Sequence, residues 1–119
     1  MTYLGEWARA FVLTEVIEVP LVVLATRRLE PAMPAWQRAA LAAFASLATH
    51  PIVWFVMPEL GLSEPARYVG SELWAFGAEA VFYRLALPGA SWGRAALASG
   101  LANGVSFGVG VLFHHLIGA

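Results

Sequence analysis

The sequence contains no cysteine, no lysine and no aspartate. Without cysteine, the chain cannot form disulfides, thiolate metal sites or iron–sulfur clusters, and it has no thiol nucleophile. Seven arginines and eight glutamates leave a net charge of −1, which offers no basic patch for nucleic acid, so nucleic acid is not an expected partner. The common ATPase, zinc-protease and hydrolase motifs are also missing.

Apolar residues dominate what is present. Of 119 residues, 60% are hydrophobic and 13% are charged, against about 25% charged in soluble domains. The mean hydropathy is +0.69. A soluble fold of this size has too little interior to hide so much apolar surface, and the composition therefore predicts an integral membrane protein whose surroundings are the lipid bilayer.

Windows of about 20 residues, the length that crosses the hydrocarbon core as a helix, locate four candidate spans. They lie at about 3–25, 38–57, 71–87 and 92–117. Proline and glycine interrupt the chain between them, and the short connections predict that consecutive helices are antiparallel neighbours. The predicted fold is an all-α, integral membrane four-helix bundle that forms a single transmembrane domain over residues 1–119.

The distribution of arginine predicts the orientation, because short positively charged loops stay in the cytoplasm. Only Arg9 and Arg67 flank the side that carries the termini. Five arginines lie near the connections that follow the first and third spans: Arg27, Arg28, Arg38, Arg84 and Arg94. Both termini are therefore expected outside, and in a bacterium the membrane would be the cytoplasmic (inner) membrane.

An internal repeat relates the two halves of the chain. Residues 36–43 and 92–99 begin the second and fourth spans, and six of their eight positions are identical. Their offset is 56 residues, and Glu15 and Glu72 in the preceding spans are 57 apart. The repeat indicates either two copies of a helical hairpin related by an axis along the membrane normal, or simply a common way for helices to begin at the headgroup level.

Four glutamates interrupt the apolar spans. A charged side chain at the centre of a bilayer helix costs about 2.5–3.5 kcal/mol on insertion scales, so such groups tend to face inward and serve a site. Counted along the helices, several polar groups fall at similar depths, and helical spacing predicts a shared acidic interior that opens toward the outer side. The candidate site residues are Glu15, Glu18, Glu72, Glu79, His50 and Asn103.

This donor set suggests cation chemistry. Glu15, Glu79 and His50 are oxygen and nitrogen donors that suit a divalent metal ion as cofactor or cargo. Carboxyl groups removed from water can equally carry protons or exchange a proton for a cationic substrate. The structural alternative is that the glutamates only join helices through hydrogen bonds worth about 0.6 kcal/mol each. The predicted function is binding or transport of a cation, divalent or coupled to protons.

Two other classes of function stay open at the level of sequence. An intramembrane enzyme would use glutamate as general base and histidine as proton shuttle or metal ligand, acting on a lipid or a peptide. An accessory subunit would place its acids against arginines of a larger membrane complex.

Gly100, Gly104 and Gly108 follow one another at intervals of four in the last span. Small residues at this spacing let another helix approach closely in lipid. The spacing leaves open whether that helix belongs to the same chain or to a second copy. Because four helices enclose little volume, we expect a homo-oligomer whose copies meet at these glycines.

Overall fold

Every regular element within residues 2–117, the part of the chain that the computed structural model describes, is helical. The protein is therefore all-α. The second helix continues without a loop into a π-helical turn and then a 3-10 turn. The helices are α1 Tyr3–Ala25, α2 Ala35–Pro51 with the turns Ile52–Val56 and Met57–Leu60, α3 Glu64–Ala86 and α4 Trp92–Ile117.

Local signals in the sequence explain where these helices begin. Thr2 precedes α1, and its hydroxyl oxygen accepts the backbone N–H of Gly5 at 3.0 Å. Ser63 caps α3 in the same way through the N–H of Ala66 at 3.3 Å, and Pro65 occupies the first turn, where no N–H is needed. These caps start α3 seven residues ahead of the predicted span 71–87, whereas α1 and α4 cover the same residues as their predicted spans.

The four helices pack in a ring. Both α1 and α3 pack against α2 and α4, which places α1 and α3 on one diagonal of the bundle. The contacts along α1 and α2 run from Tyr3 with Trp54 to Thr26 with Arg38, so the two helices are antiparallel. The short connections between the helices produce this up-and-down order.

The interior of the bundle combines small apolar side chains, mostly alanine, with buried polar groups, and the exterior carries large apolar side chains. Ala98 and Ala102 are fully buried, and Glu18 and Glu79 are 3% and 1% exposed, while Leu85 is 77% exposed. This is the reverse of a soluble domain, in which large apolar side chains fill the core. By length and composition, the helices Ala35–Leu60 and Trp92–Leu116 are able to cross a membrane.

One end of the bundle, where the α1–α2 and α3–α4 connections lie, is tightly closed. The guanidinium of Arg38 is buried against the last turn of α1, where it donates to Thr26 Oγ1 at 2.9 Å and to the carbonyl of Val23. Gly89 has a φ of +78°, and a Cβ at this position would lie 1.8 Å from the carbonyl oxygen of Glu30. Only glycine therefore lets the two connections approach so closely.

The glycines of α4 face two directions. A Cβ on Gly100 would lie 3.3 Å from the Phe76 ring of α3, so this glycine serves packing within the chain. At Gly104 and Gly108 a Cβ would meet nothing within 4 Å, and both residues are exposed. Association of copies through this ridge stays a prediction.

Candidate functional site

A cleft of about 710 Å³ enters the bundle from the end opposite the connections. Exposed residues at its mouth, such as Glu64 and Tyr68, belong to the start of α3. Its base is formed by polar side chains from all four helices, all of them buried except the half-buried Ser106. These are Glu18, Ser46, Thr49, Glu79, Asn103 and Ser106.

Glu79 of α3 binds both neighbouring helices. Its Oε2 accepts the hydroxyl of Thr49 on α2 at 2.6 Å, and its Oε1 accepts the amide of Asn103 on α4 at 3.0 Å. The same amide donates to the carbonyl of Ser99 at 2.9 Å. Since both partners of this nitrogen are acceptors, they determine which way the amide points.

Glu18 of α1 is held in a matching way. Its Oε1 accepts the hydroxyl of Ser46 on α2 at 3.2 Å, and its Oε2 accepts the hydroxyl of Ser106 on α4 at 2.6 Å. Each carboxyl group is thus satisfied at both oxygens by one residue of α2 and one of α4. The two glutamates, with Ser46, Thr49, Asn103 and Ser106, form a closed ring across the bundle, here called the carboxyl ring.

The donors of the carboxyl ring are spaced alike on α2 and α4. Ser46 and Thr49 lie three residues apart on α2, as do Asn103 and Ser106 on α4, and both corresponding pairs are separated by 57 residues. The Thr49 hydroxyl lies 3.4 Å from the Ser46 carbonyl, and the Ser106 hydroxyl lies 3.2 Å from the Asn103 carbonyl. The two hairpins thus contribute donors at the same spacing, whereas the acids that accept from them, Glu18 and Glu79, are 61 residues apart.

All four hydrogen-bond donors in the carboxyl ring are neutral side chains. The cleft above it is lined by two further carboxylates, Glu64 and Glu72, against one guanidinium, that of Arg67. Arg67 lies near the mouth, with its Cζ 5.3 Å from the centroid of the Tyr68 ring. The cleft is consequently acidic, and its buried acids have no basic partner in the ring.

His50 lies on the wall of the cleft amid aromatic rings. Its ring centroid is 5.6 Å from that of Phe11 and 6.3 Å from that of Trp54. Nε2 shares a hydrogen bond of 3.3 Å with the Thr14 hydroxyl. Nδ1 is buried and has no hydrogen-bond partner among residues 2–117, so one polar atom of the imidazole is unsatisfied within the described chain.

The irregular end of α2 also shapes this wall. Pro51 lacks an N–H and so interrupts the helical hydrogen-bond pattern, and a π-helical turn follows at Ile52–Val56. Side chains of neighbouring helices bind carbonyls here, since Tyr3 donates to the oxygen of Trp54 at 2.5 Å and Trp74 Nε1 donates to that of Thr49 at 3.3 Å. The turn widens α2 beside the cleft, and such turns are frequent at functional sites.

The structure places the predicted site residues in three different positions. Glu18, Glu79 and Asn103 meet in the carboxyl ring, and His50 and Glu72 line the cleft above it. Glu15 lies outside the lining of the cleft, and its Oε1 is buried without a hydrogen-bond partner in the described chain.

The predicted metal ligands Glu15, Glu79 and His50 are not brought to one point. Residues 2–117 contain no group of three or more histidine and glutamate side chains arranged to hold a metal ion. The arrangement of these side chains therefore does not support a metal site formed by Glu15, Glu79 and His50.

The carboxyl ring also contains three residues that were not predicted from the sequence: Ser46, Thr49 and Ser106. The sequence does contain a pattern that points to them. Ser46 and Asn103 are separated by 57 residues, as are Thr49 and Ser106, and Glu15 and Glu72 have the same separation. Comparing polar positions between the two halves would have found the donors.

The fold and the cleft together define an all-helical protein with a polar, acid-lined interior and an apolar exterior. Comparison of the chain with protein-family models, curated proteins and solved structures gives no match. The site itself is therefore the basis for inferring a function.

Proposed function

We propose that the chain is a small integral membrane protein, with four membrane-spanning helices, that binds a cation in exchange for protons at Glu18 and Glu79. The observation that carries this proposal is the carboxyl ring, in which two buried acids from diagonally placed helices meet at the base of an acidic cleft.

The distribution of side chains supports a lipid environment for all four helices. Val16 on α1 and Leu73 on α3 are each 65% exposed, and Leu47 on α2 and Leu116 on α4 are 50% and 74% exposed. Large apolar side chains thus cover the outside of every helix. In water, a protein with such a surface would tend to aggregate. In lipid the same surface is favourable, while the glutamates of α1 and α3 stay inside, as membrane proteins require. The arginine distribution then favours both termini outside.

The charge of the carboxyl ring supports a cationic ligand. An uncompensated buried negative charge costs several kcal/mol, and two such charges repel one another. The hydrogen bonds from Thr49 and Asn103 satisfy the oxygens of Glu79 but bring no positive charge. The pair is therefore balanced either by protons or by a bound cation, so that cation binding displaces protons.

Access is one-sided. The cleft opens beside the start of α1, whereas Ala98, Tyr83 and Leu87 fill the bundle below the carboxyl ring and are each at most 3% exposed. Binding from the side of the termini needs no movement of this closed end. Transport across the membrane would also require the closed end to open, so that the carboxyl ring becomes accessible from the other side.

The test measures proton release when a cation binds. Purified protein in detergent, in weakly buffered solution with a pH indicator, receives sodium, manganese, zinc or tetramethylammonium chloride in separate additions. At least one of these should release protons from the wild type but not from the double variant Glu18→Gln and Glu79→Gln. Glutamine keeps the size and most hydrogen bonds of glutamate, so the double variant should stay folded.

Glu30→Gln is the matched control, since Glu30 is exposed and lies outside the cleft. It should release protons as the wild type does. Equal release from the double variant and the wild type would overturn the role of the two acids. If no probe releases protons and a second protein copurifies in fixed ratio, the accessory-subunit alternative replaces the proposal.

Transport is tested separately in proteoliposomes loaded with a pH-sensitive dye. A cation that releases protons in detergent should drive proton efflux when it is added outside, and the double variant should abolish the efflux. Binding without efflux would restrict the function to binding.

A further inference from the structure

The size and the walls of the cleft narrow the class of cation that it can bind. A bare metal ion is held by a few donors at about 2.0–2.6 Å, whereas this cleft measures about 710 Å³. That volume lies within the range of about 300–1,000 Å³ that is usual for sites of drug-sized organic ligands.

The walls of the cleft are rich in aromatic rings. Tyr3, Trp54, Tyr68 and Phe107 line it, and they come from α1, the end of α2, α3 and α4. The face of an aromatic ring attracts a cation, and quaternary ammonium groups are recognised in this way. The lining therefore combines the two elements that an organic cation needs, carboxylates for its charge and aromatic faces for its alkyl groups.

Part of this wall is held in place before any ligand arrives. The hydroxyl of Tyr3 donates to the carbonyl of Trp54 at 2.5 Å, and the two ring centroids lie 5.4 Å apart. The Tyr3 ring also meets Phe55 edge-on at 5.6 Å. A preorganised wall loses little side-chain freedom when it binds, which favours affinity.

The chain already places a cation on one of these rings. The Arg67 guanidinium lies 5.3 Å from the centroid of Tyr68, and the Tyr68 hydroxyl donates to Glu64 Oε1 at 3.2 Å. This contact at the mouth pairs a cation with a ring beside a carboxylate. The interior of the cleft likewise combines aromatic rings with carboxylates.

We propose that the ligand is an organic ammonium ion with an apolar body, whose charged group lies toward Glu18 and Glu79. Its body lies against the aromatic side chains that line the cleft, which are Tyr3, Trp54, Tyr68 and Phe107. The proposal rests on the function proposed above, because it names the class of cation for the same site.

The test compares benzyltrimethylammonium with neopentylbenzene, in which a carbon atom replaces the charged nitrogen. Equilibrium dialysis against the full chain in detergent should give saturable binding of benzyltrimethylammonium. The uncharged analogue should bind at least a hundredfold more weakly. Equal binding of both compounds would overturn the proposal, because it would identify a merely apolar cavity.

Variants of the wall separate aromatic recognition from charge. Trp54→Leu and Tyr68→Leu should each weaken the binding of benzyltrimethylammonium about five- to tenfold. Trp36→Leu is the matched control, since Trp36 is 69% exposed and lies outside the cleft. Tyr68 is 48% exposed, so its replacement tests the wall even if Trp54→Leu fails to fold. Unchanged affinity in Tyr68→Leu and in folded Trp54→Leu would overturn the aromatic contribution.

The two proposals fail in different ways. If manganese or sodium releases protons through Glu18 and Glu79 while benzyltrimethylammonium does not bind, cation exchange stands and the organic ligand is rejected. If none of the cations binds or releases protons, both proposals are rejected.

Discussion

The two ends of the bundle are built from side chains of different size. At the closed end the interior positions are mostly alanine, and Ala95 and Ala98 are 1% and 0% exposed. At the open end the rings of Tyr3, Trp54 and Tyr68 surround the cleft. Small side chains let helices approach until backbones touch, whereas large ones hold them apart. We therefore expect stability to depend on the closed end and ligand binding on the open end.

The carboxyl ring lies between these two ends. Above it, Glu72 and His50 border the cleft, and below it, Tyr83 and Leu87 belong to the packed cluster. Its side chains join helices and also offer the charge proposed for binding. A change in the ring should therefore affect both properties, whereas changes at either end should affect one.

The largest loss of stability is expected from Gly89→Ala at the closed end. The new Cβ would lie 1.8 Å from the Glu30 oxygen, and φ is +78°, so the free energy of unfolding should fall by about 3 kcal/mol or more. Gly61→Ala is the control at the open end, where φ is +69° and nothing lies within 4 Å. It should cost only about 1 kcal/mol. Unfolding in mixed detergent micelles, followed by circular dichroism, measures both, and equal losses would contradict the account of the closed end.

A smaller loss is expected from overpacking the alanine interior. Ala98→Leu adds three carbons where the exposed fraction is 0%, which should lower the free energy of unfolding by about 1–3 kcal/mol. Ala48→Leu adds the same atoms at an exposed position of α2 and should change it by less than about 0.5 kcal/mol. The same unfolding assay compares the two variants. An Ala98→Leu protein as stable as Ala48→Leu would mean that the closed end is loosely packed.

The carboxyl ring itself can be weakened by one hydroxyl. Thr49→Val keeps the shape of the side chain but leaves Glu79 Oε2 without its donor at 2.6 Å. The free energy of unfolding should fall by about 1 kcal/mol, and proton release on cation binding should change as well. Thr49→Ser restores the hydroxyl and should behave as the wild type in both measurements. If Val and Ser variants are indistinguishable, the hydroxyl has no role in the ring.

The smallest effect is expected at the open end, from Glu72→Gln. Glu72 lines the cleft, so the loss of its charge should weaken the binding of benzyltrimethylammonium about threefold, less than 1 kcal/mol. The free energy of unfolding of Glu72→Gln should match that of the wild type within about 0.5 kcal/mol. Glu59→Gln, at an exposed position outside the cleft, is the control for binding. A large loss of stability in Glu72→Gln would break the division between the two ends.

Much of the helical framework was predictable from local sequence. The predicted spans 3–25 and 92–117 cover the same residues as α1 and α4, because apolar length and the nearby proline and glycine residues act locally. The helix α3 begins at Glu64, seven residues before the predicted span 71–87, because Ser63 caps it there. Windows measure the apolar core of a helix, while caps determine where it begins.

The identity of the acids that meet was less predictable. Glu15 and Glu18 are three residues apart and share one side of α1, so spacing treated them as equals. In the structure Glu18 accepts hydrogen bonds from Ser46 and Ser106, while Glu15 lies outside the lining of the cleft. Spacing along one helix does not distinguish the two acids, because their surroundings depend on how α2 and α4 pack against α1.

Composition and periodicity were enough to predict an all-α chain with an apolar surface and with glutamates inside its helices, because each residue expresses these properties locally. The helix packing was needed to show that Glu18 and Glu79 are bound by neutral donors, and that one end of the bundle is closed while the other is open. These features depend on the rotation and register of four helices against one another, which arise from contacts between residues far apart in the chain.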